Sequence, residues 1–150
     1  MTEPARILVI DDDDSVRKVL KVALEGEGYK VDTAESGAQA IEKSQLGVYN
    51  MALIDIRLPD MEGTKLLSEL KETTPKMRKI IVTGYPSMQN AIEAVKRGAN
   101  DFVVKPFKME SVLETIKKHL DEQQKERKYS EEKVREFIET RAGEMSVEDR

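Results

Sequence analysis

Short apolar runs alternate with helix-periodic stretches along most of this chain. Residues 7–10, 31–34, 51–54, 80–82 and 102–104 are nearly continuous in aliphatic and β-branched side chains, the pattern of buried strands. Between them, apolar positions return at helical spacing. Val16, Val19, Leu20, Ala23 and Leu24 share one face of a first helix, which Gly26 and Gly28 close. Ser36 and Gln39 form a capping box ahead of a second, carrying Ala40 and Ile41. Leu66, Leu67 and Leu70 mark a third. Met88, Ala91, Ile92 and Val95 give a fourth with Gly98 at its close, and Met109, Val112, Leu113, Ile116 and Leu120 a fifth.

Strands alternating with helices through short loops predict an α/β fold, an all-parallel sheet covered by helices on both faces. Right-handed crossovers leave few topologies. The commonest at this size is a flavodoxin-like (βα)5 doubly wound sheet with strand order 2-1-3-4-5. Residues 5–121 carry this pattern. From residue 121 onward, 17 of 30 side chains are charged, so residues 122–150 are expected to be a charged helical C-terminal extension or linker. Within it, Ser130 is placed to cap a short helix bearing Val134, Phe137, Ile138 and Arg141, with Gly143 at its end; residues 144–150 read as a frayed tail. A heptad seam through Leu113, Leu120, Arg127, Val134 and Arg141 is too polar for a convincing coiled coil. The Phe137–Ile138 stripe reads as docking surface.

A length of 150 residues suits one domain with a real core, and 39% hydrophobic with 36% charged residues describes a globular protein with a densely charged surface. A net charge of −4 argues against general affinity for nucleic acid or anionic lipid. The absence of cysteine excludes disulfides and thiolate metal sites and suits a reducing compartment. No apolar run approaches the roughly 20 residues of a membrane span, and residues 1–6 lack the regions of a signal peptide. A cytoplasmic location is expected.

The candidate chemistry lies where the strands end. Asp11, Asp12, Asp13 and Asp14 follow the first strand directly, and carboxylates so crowded repel one another unless a cation sits beside them. Asp55 follows the third strand, Thr83 the fourth and Lys105 the fifth. In a sheet of this order these ends share one crevice at the switch point between strands 1 and 3. Carboxylates together with water and phosphate oxygens suit a hard cation, Mg²⁺ above all. An aspartate can also act as a nucleophile and form an acyl phosphate, with catalysis reduced to positioning and charge neutralisation. Asp55 stands alone at its strand end, ahead of a proline- and glycine-containing loop over residues 56–63, and is best placed for that role. Asp11 and Asp12 would hold the metal, while Thr83 and Lys105 would bind phosphoryl oxygens. Asp13 and Asp14 belong to the helix start. His119 reads as a surface side chain near a helix C-terminus. Taken singly, each of these residues has an ordinary reading as a cap, loop acid or solvated lysine; only their joint placement overturns it.

Four stretches carry a resemblance: Ile7-Leu8-Val9-Ile10-Asp11-Asp12, residues 53–63, Ile81-Val82-Thr83-Gly84 and Phe102-Val103-Val104-Lys105-Pro106-Phe107. In order and spacing they resemble the receiver domain of bacterial and archaeal two-component response regulators. The resemblance implies a signalling phosphoacceptor rather than an enzyme acting on other substrates. Asp55 would take a phosphoryl group from the phosphohistidine of a sensor kinase or phosphotransfer protein. Asp11, Asp12, Asp55 and the Arg57 backbone carbonyl would coordinate Mg²⁺. It further implies a cis Lys105-Pro106 bond that aims the lysine into the site, and a switch pair of Thr83 and Phe102. Phe102 lacks the hydroxyl of the tyrosine common at that position. Arg57 and Tyr85 would flank the path of attacking water and alter the acyl-phosphate lifetime, in a direction the sequence leaves open. Output would pass through the face of helix 4, strand 5 and helix 5, to a partner or to a second copy, the C-terminal helix offering another dimer seam.

Other readings fare worse. A haloacid-dehalogenase-type enzyme would need a cap domain and a late acidic pair, and a calcium loop would want glycine where Val16 stands. A flavin site would find its phosphate repelled by four aspartates. The remaining alternative is a receiver-like interaction module that acts without phosphorylation.

Overall fold

The computed structural model of this chain describes residues 3–73 and 75–148, with side chains as far as residue 143. Its elements run β1 (Arg6–Ile10), α1 (Asp14–Gly26), β2 (Lys30–Ala34), α2 (Gly37–Leu46), β3 (Met51–Ile54), α3 (Gly63–Glu69), β4 (Arg78–Thr83), α4 (Met88–Lys96), β5 (Asp101–Val104) and α5 (Met109–Glu148). The strands form one parallel sheet in the order β2-β1-β3-β4-β5. This is the doubly wound topology expected from the alternation of periods. The carboxyl ends of β1 and β3 lie side by side, since Ile10 pairs with Ile54.

Because side chains alternate across a strand, each face of the sheet collects its own core. Leu8, Ile10, Ala52, Ile54 and Ile81 pack on one side with Leu66, Leu67 and Ala94 of α3 and α4. Ile7, Val9, Leu53, Ile80 and Val82 pack on the other with Leu20 and Leu24 of α1 and Val112 and Ile116 of α5. β1 and β3 are buried nearly throughout, as their unbroken apolar runs require.

Local signals account for the helix starts. Asp13 caps α1, its carboxylate accepting from the backbone N–H groups of Ser15 and Val16, while Asp14 is already helical and pairs with Lys18. Ser36 accepts from Gln39 N–H, and the Gln39 amide oxygen accepts in return from Glu35 N–H, one residue before the cap. The exposed Asp60 carboxylate supplies what α2 still lacks, accepting from Gly37 and Ala38 N–H at 2.8 and 2.9 Å. Those two backbone bonds hold its pKa below the ordinary carboxylate value. The loop after β3 is thereby tied to the start of α2.

Several expectations need correction. β5 is an edge strand, half-buried at best, with Val104 exposed. On α1, Val19 points to solvent while Leu20 and Leu24 go inside. The apolar stripe of α4 is turned outward: Met88, Ile92 and Val95 are exposed at 77%, 48% and 72%, and the small Ala94 faces the sheet. A helix pressed against an edge needs a thin inner face, and alanine provides it.

The C-terminal segment is no separate short helix. α5 runs unbroken for 40 residues, through Ser130 and Gly143 and through most of the expected frayed tail; residues 149 and 150 lie outside the described ones. Helix nucleation is the costly step, and the packed first half of α5 has already met it. Glutamate, lysine, arginine and glutamine then propagate the helix readily, aided by pairs such as Arg127–Glu131 at 3.1 Å. His119 is buried, at 5% exposure, with Nε2 2.9 Å from Asp101 Oδ2. Near it, Gln123 donates to the carbonyls of Asn50 and Lys76, and Arg78 to Glu126. These contacts fasten α5 to the amino-terminal end of the sheet.

Candidate functional site

Each residue assigned to the crevice lies at or just past a strand end. Asp11 leaves β1 and donates its N–H to Ala34 O; Asp55 leaves β3 and donates to Ile10 O. Thr83 is the last residue of β4 and fully buried. Lys105 follows β5 and donates its N–H to Thr83 O at 2.8 Å. Backbone pairing thus carries the strand register one residue into the crevice.

The carboxylates and the ammonium meet there. The Lys105 ammonium donates to Asp11 Oδ2 at 2.6 Å and to Asp55 Oδ2 at 3.2 Å, bridging residues 94 and 50 positions away. Asp11, Asp12 and Asp55 offer carboxylate oxygens within 4.8 Å of one another. Asp11 and Asp55 are buried and Asp12 is exposed, so the trio has one open side. The Lys105-Pro106 peptide bond is cis.

The electrostatics leave this cluster short of positive charge. Burial is the chief influence on Asp11 and pushes its carboxyl pKa up, against the pull of Lys105 and of Asp13 N–H. Burial also works to lower Lys105, but the bonds and charges of Asp11 and Asp55 prevail and hold the ammonium above its ordinary value. One lysine therefore does not offset the burial of Asp11. Three oxygen donors with an open side fit a hard divalent cation, which would complete the neutralisation.

Around this cluster lie residues that the sequence pattern marked less sharply or not at all. Arg57 N–H faces Asp55 Oδ1 at 3.3 Å, and its guanidinium lies over the Tyr85 ring, 3.7 Å from the centroid. Phe102 is half-buried against the core cluster that contains Ile81 and Ala94. Arg17, which no motif singles out, donates to the Asp11 carbonyl at 2.6 Å and holds that backbone in place. Its position one turn into α1 is the only signal the sequence offers. Gly63, marked by the sequence only as part of the loop after Asp55, has a tighter role: a Cβ there would lie 2.0 Å from the Asp55 carbonyl oxygen.

Comparison with known proteins agrees with the fold. Residues 7–117 match the family model for the response regulator receiver domain. The transcriptional regulatory protein ZraR of Escherichia coli K12 is 40% identical over 114 residues, covering 76% of this chain and 26% of that protein. The chain thus spans about a quarter of the length of such relatives. Among solved structures, a CheY-like receiver domain from Methanospirillum hungatei JF-1 is similar with a TM-score of 0.79 and 43% identity, covering 82% of this chain and 98% of that one. The beryllofluoride-activated NtrC4 receiver domain dimer is similar with a TM-score of 0.73 and 36% identity, covering 79% and 98%. The fold, the acidic crevice and the match over residues 7–117 together show that this chain belongs to the receiver domain family of two-component response regulators.

Proposed function

We propose that Asp55 accepts a phosphoryl group from the phosphohistidine of a cytoplasmic sensor kinase or phosphotransfer protein, with Mg²⁺ held by Asp11, Asp12, Asp55 and the Arg57 carbonyl. The observation that carries this reading is the Lys105 ammonium bridging Asp11 and Asp55 beside three clustered carboxylates. Bound Mg²⁺ would screen negative charge between the carboxylates and the incoming phosphoryl group. An Asp55 carboxylate oxygen attacks phosphorus, the new O–P bond forms as the N–P bond of the donor breaks, and the imidazole nitrogen keeps the electron pair. Asp11 holds Lys105 in place, Lys105 pairs with one phosphoryl oxygen, and the Thr83 hydroxyl donates to another. Because Tyr85 N–H already donates to Thr83 Oγ1 at 3.2 Å, the hydroxyl proton remains available.

The test is treatment of the protein with acetyl phosphate and Mg²⁺, then borohydride trapping and peptide mapping. Modification is expected at Asp55 and is lost when EDTA removes the metal. Labelling elsewhere, or labelling indifferent to EDTA, would reject the assignment.

For output, residues 5–121 act as the receiver unit and residues 122–150 as its extension. Thr83 and Phe102 couple phosphorylation to the α4–β5–α5 face. Exposed Met88, Ile92, Val95 and Val104 give that face apolar character. On the second half of α5, Val134, Phe137 and Ile138 are also exposed, which supports a helical seam with a second copy. Beryllofluoride with Mg²⁺ is expected to raise the mass measured by light scattering, and truncation near residue 121 to weaken that gain; an unchanged monomer throughout would count against it. No helix among the described residues is long and apolar enough to cross a membrane.

A further inference from the structure

The loop that follows Asp55 is closed at its base and tied down at its tip. At the base, Ile56 O accepts from Gly63 N–H at 2.6 Å, and Arg57 and Glu62 form an antiparallel bridge. At the tip, both Asp60 oxygens bond outside the loop. Oδ1 accepts from Gly37 N–H and Oδ2 from Ala38 N–H, 23 and 22 positions earlier at the start of α2. Ser36 caps α2 through Gln39 N–H, which leaves those first two N–H groups for Asp60. Met61 adds a second hold: it packs so closely on Gly37 that a Cβ there would lie 2.5 Å from its sulfur. Between base and tip runs Arg57, whose N–H reaches Asp55 Oδ1 at 3.3 Å and whose carbonyl is one of the proposed Mg²⁺ ligands.

We propose that Asp60 is a positioning residue for Mg²⁺: by fastening the loop over residues 56–63 to the start of α2, it keeps the Arg57 backbone ready to coordinate the ion. The inference rests on the phosphoacceptor reading of Asp55, which supplies the Mg²⁺ site. Mg²⁺ requires near-ideal octahedral geometry, and ligands held from behind meet that requirement best. A side-chain carboxylate can turn toward an ion, whereas a backbone carbonyl moves only with its loop. A loop freed at its tip has to be ordered each time the metal binds, and that entropy is lost from the affinity. Asp60 stands outside the cluster of Asp11, Asp12 and Asp55, and both its oxygens are committed to α2. Its effect on the metal therefore passes through the loop.

The test is calorimetric titration of the full chain with MgCl₂. Asp60→Ala is expected to raise the Mg²⁺ dissociation constant about three- to tenfold, below the roughly 10–100-fold typical when a partner bonded to a metal ligand itself is lost. Asp60→Asn keeps one acceptor oxygen and should fall between the parent and the alanine variant. Glu62→Gln removes the same charge from the same loop without touching the Asp60 bonds, and should bind Mg²⁺ within about twofold of the parent because an exposed charge is screened. In reaction with acetyl phosphate, the half-saturating Mg²⁺ concentration should rise in Asp60→Ala while the rate at saturating Mg²⁺ recovers. Unchanged affinity in Asp60→Ala, an equal loss in Glu62→Gln, or a rate deficit that saturating Mg²⁺ leaves in place would each overturn the positioning role. If the parent chain binds no Mg²⁺ or forms no acyl phosphate, the phosphoacceptor reading fails and the inference with it; if the parent does both and Asp60→Ala matches it, the inference alone fails.

Discussion

Replacement of Asp55 by asparagine is expected to abolish acyl-phosphate formation while leaving the protein folded. Asparagine keeps the shape of the side chain but lacks the anionic oxygen with which the proposed reaction attacks phosphorus. The neighbouring acids do not substitute for it. Asp11 is buried with one oxygen committed to Lys105 and the other to Asp13 N–H, and Asp12 is exposed to one side. The Lys105–Asp11 contact at 2.6 Å survives the change, so the ammonium keeps its strongest partner. Losing one of three mutually repelling carboxylates relieves the cluster rather than straining it. Intact-mass analysis after acetyl phosphate and Mg²⁺ should show no phosphoryl gain in the variant, with a urea transition close to that of the parent. Undiminished modification of the asparagine protein would place the acceptor elsewhere.

Gly63→Ala is expected to cost stability far beyond what one methyl group suggests. A Cβ at this position would meet the Asp55 carbonyl oxygen at 2.0 Å and the Ile56 Cα at 2.8 Å. Both are backbone atoms, and Gly63 N–H is bonded to Ile56 O at 2.6 Å, so neither side can yield without opening the loop. The constraint is space, not handedness, since the only positive-φ glycines among the described residues are Gly28 and Gly98. Asp55 follows the central strand β3, and any displacement reaches the carboxylate cluster directly. A loss of about 3 kcal/mol or more is expected in urea denaturation, with weaker Mg²⁺ binding in whatever remains folded. Gly26→Ala serves as the control. It lies in α1, where an added Cβ would find nothing within 4 Å, and there alanine should be neutral or stabilising by up to about 1 kcal/mol. Equal stability of the two variants would refute the close-packing argument.

The main features of the site are legible in the sequence because they depend on order and period. Parallel strands all point the same way, so a residue just past each strand lands on one edge, and chain order with right-handed crossovers sets which edges adjoin. Those two rules bring Asp11, Asp12, Asp55, Thr83 and Lys105 together. Local capping rules also divide the four-aspartate run, since Asp13 caps α1 and Asp14 begins it. Hydrophobic period is weaker on faces. It marks Met88, Ile92 and Val95 as a stripe, but an apolar stripe can serve a core or a partner, and the pattern is the same for both.

His119 shows the other limit. A single histidine on a charged helix looks solvated, and nothing local says that Asp101, 18 residues earlier, will meet it from β5. The same holds for Asp60 at the start of α2, Arg17 on the Asp11 carbonyl, and Arg57 stacked on Tyr85. The amino-acid sequence by itself determined the alternation of strands and helices, the sheet order and the edge at which the acidic crevice forms, because these follow from local period and chain direction. Only the tertiary structure decided which helix faces stay exposed, that α5 continues as one rod, and which side chains brace the crevice, because those depend on angstrom-scale distances between segments remote in the chain.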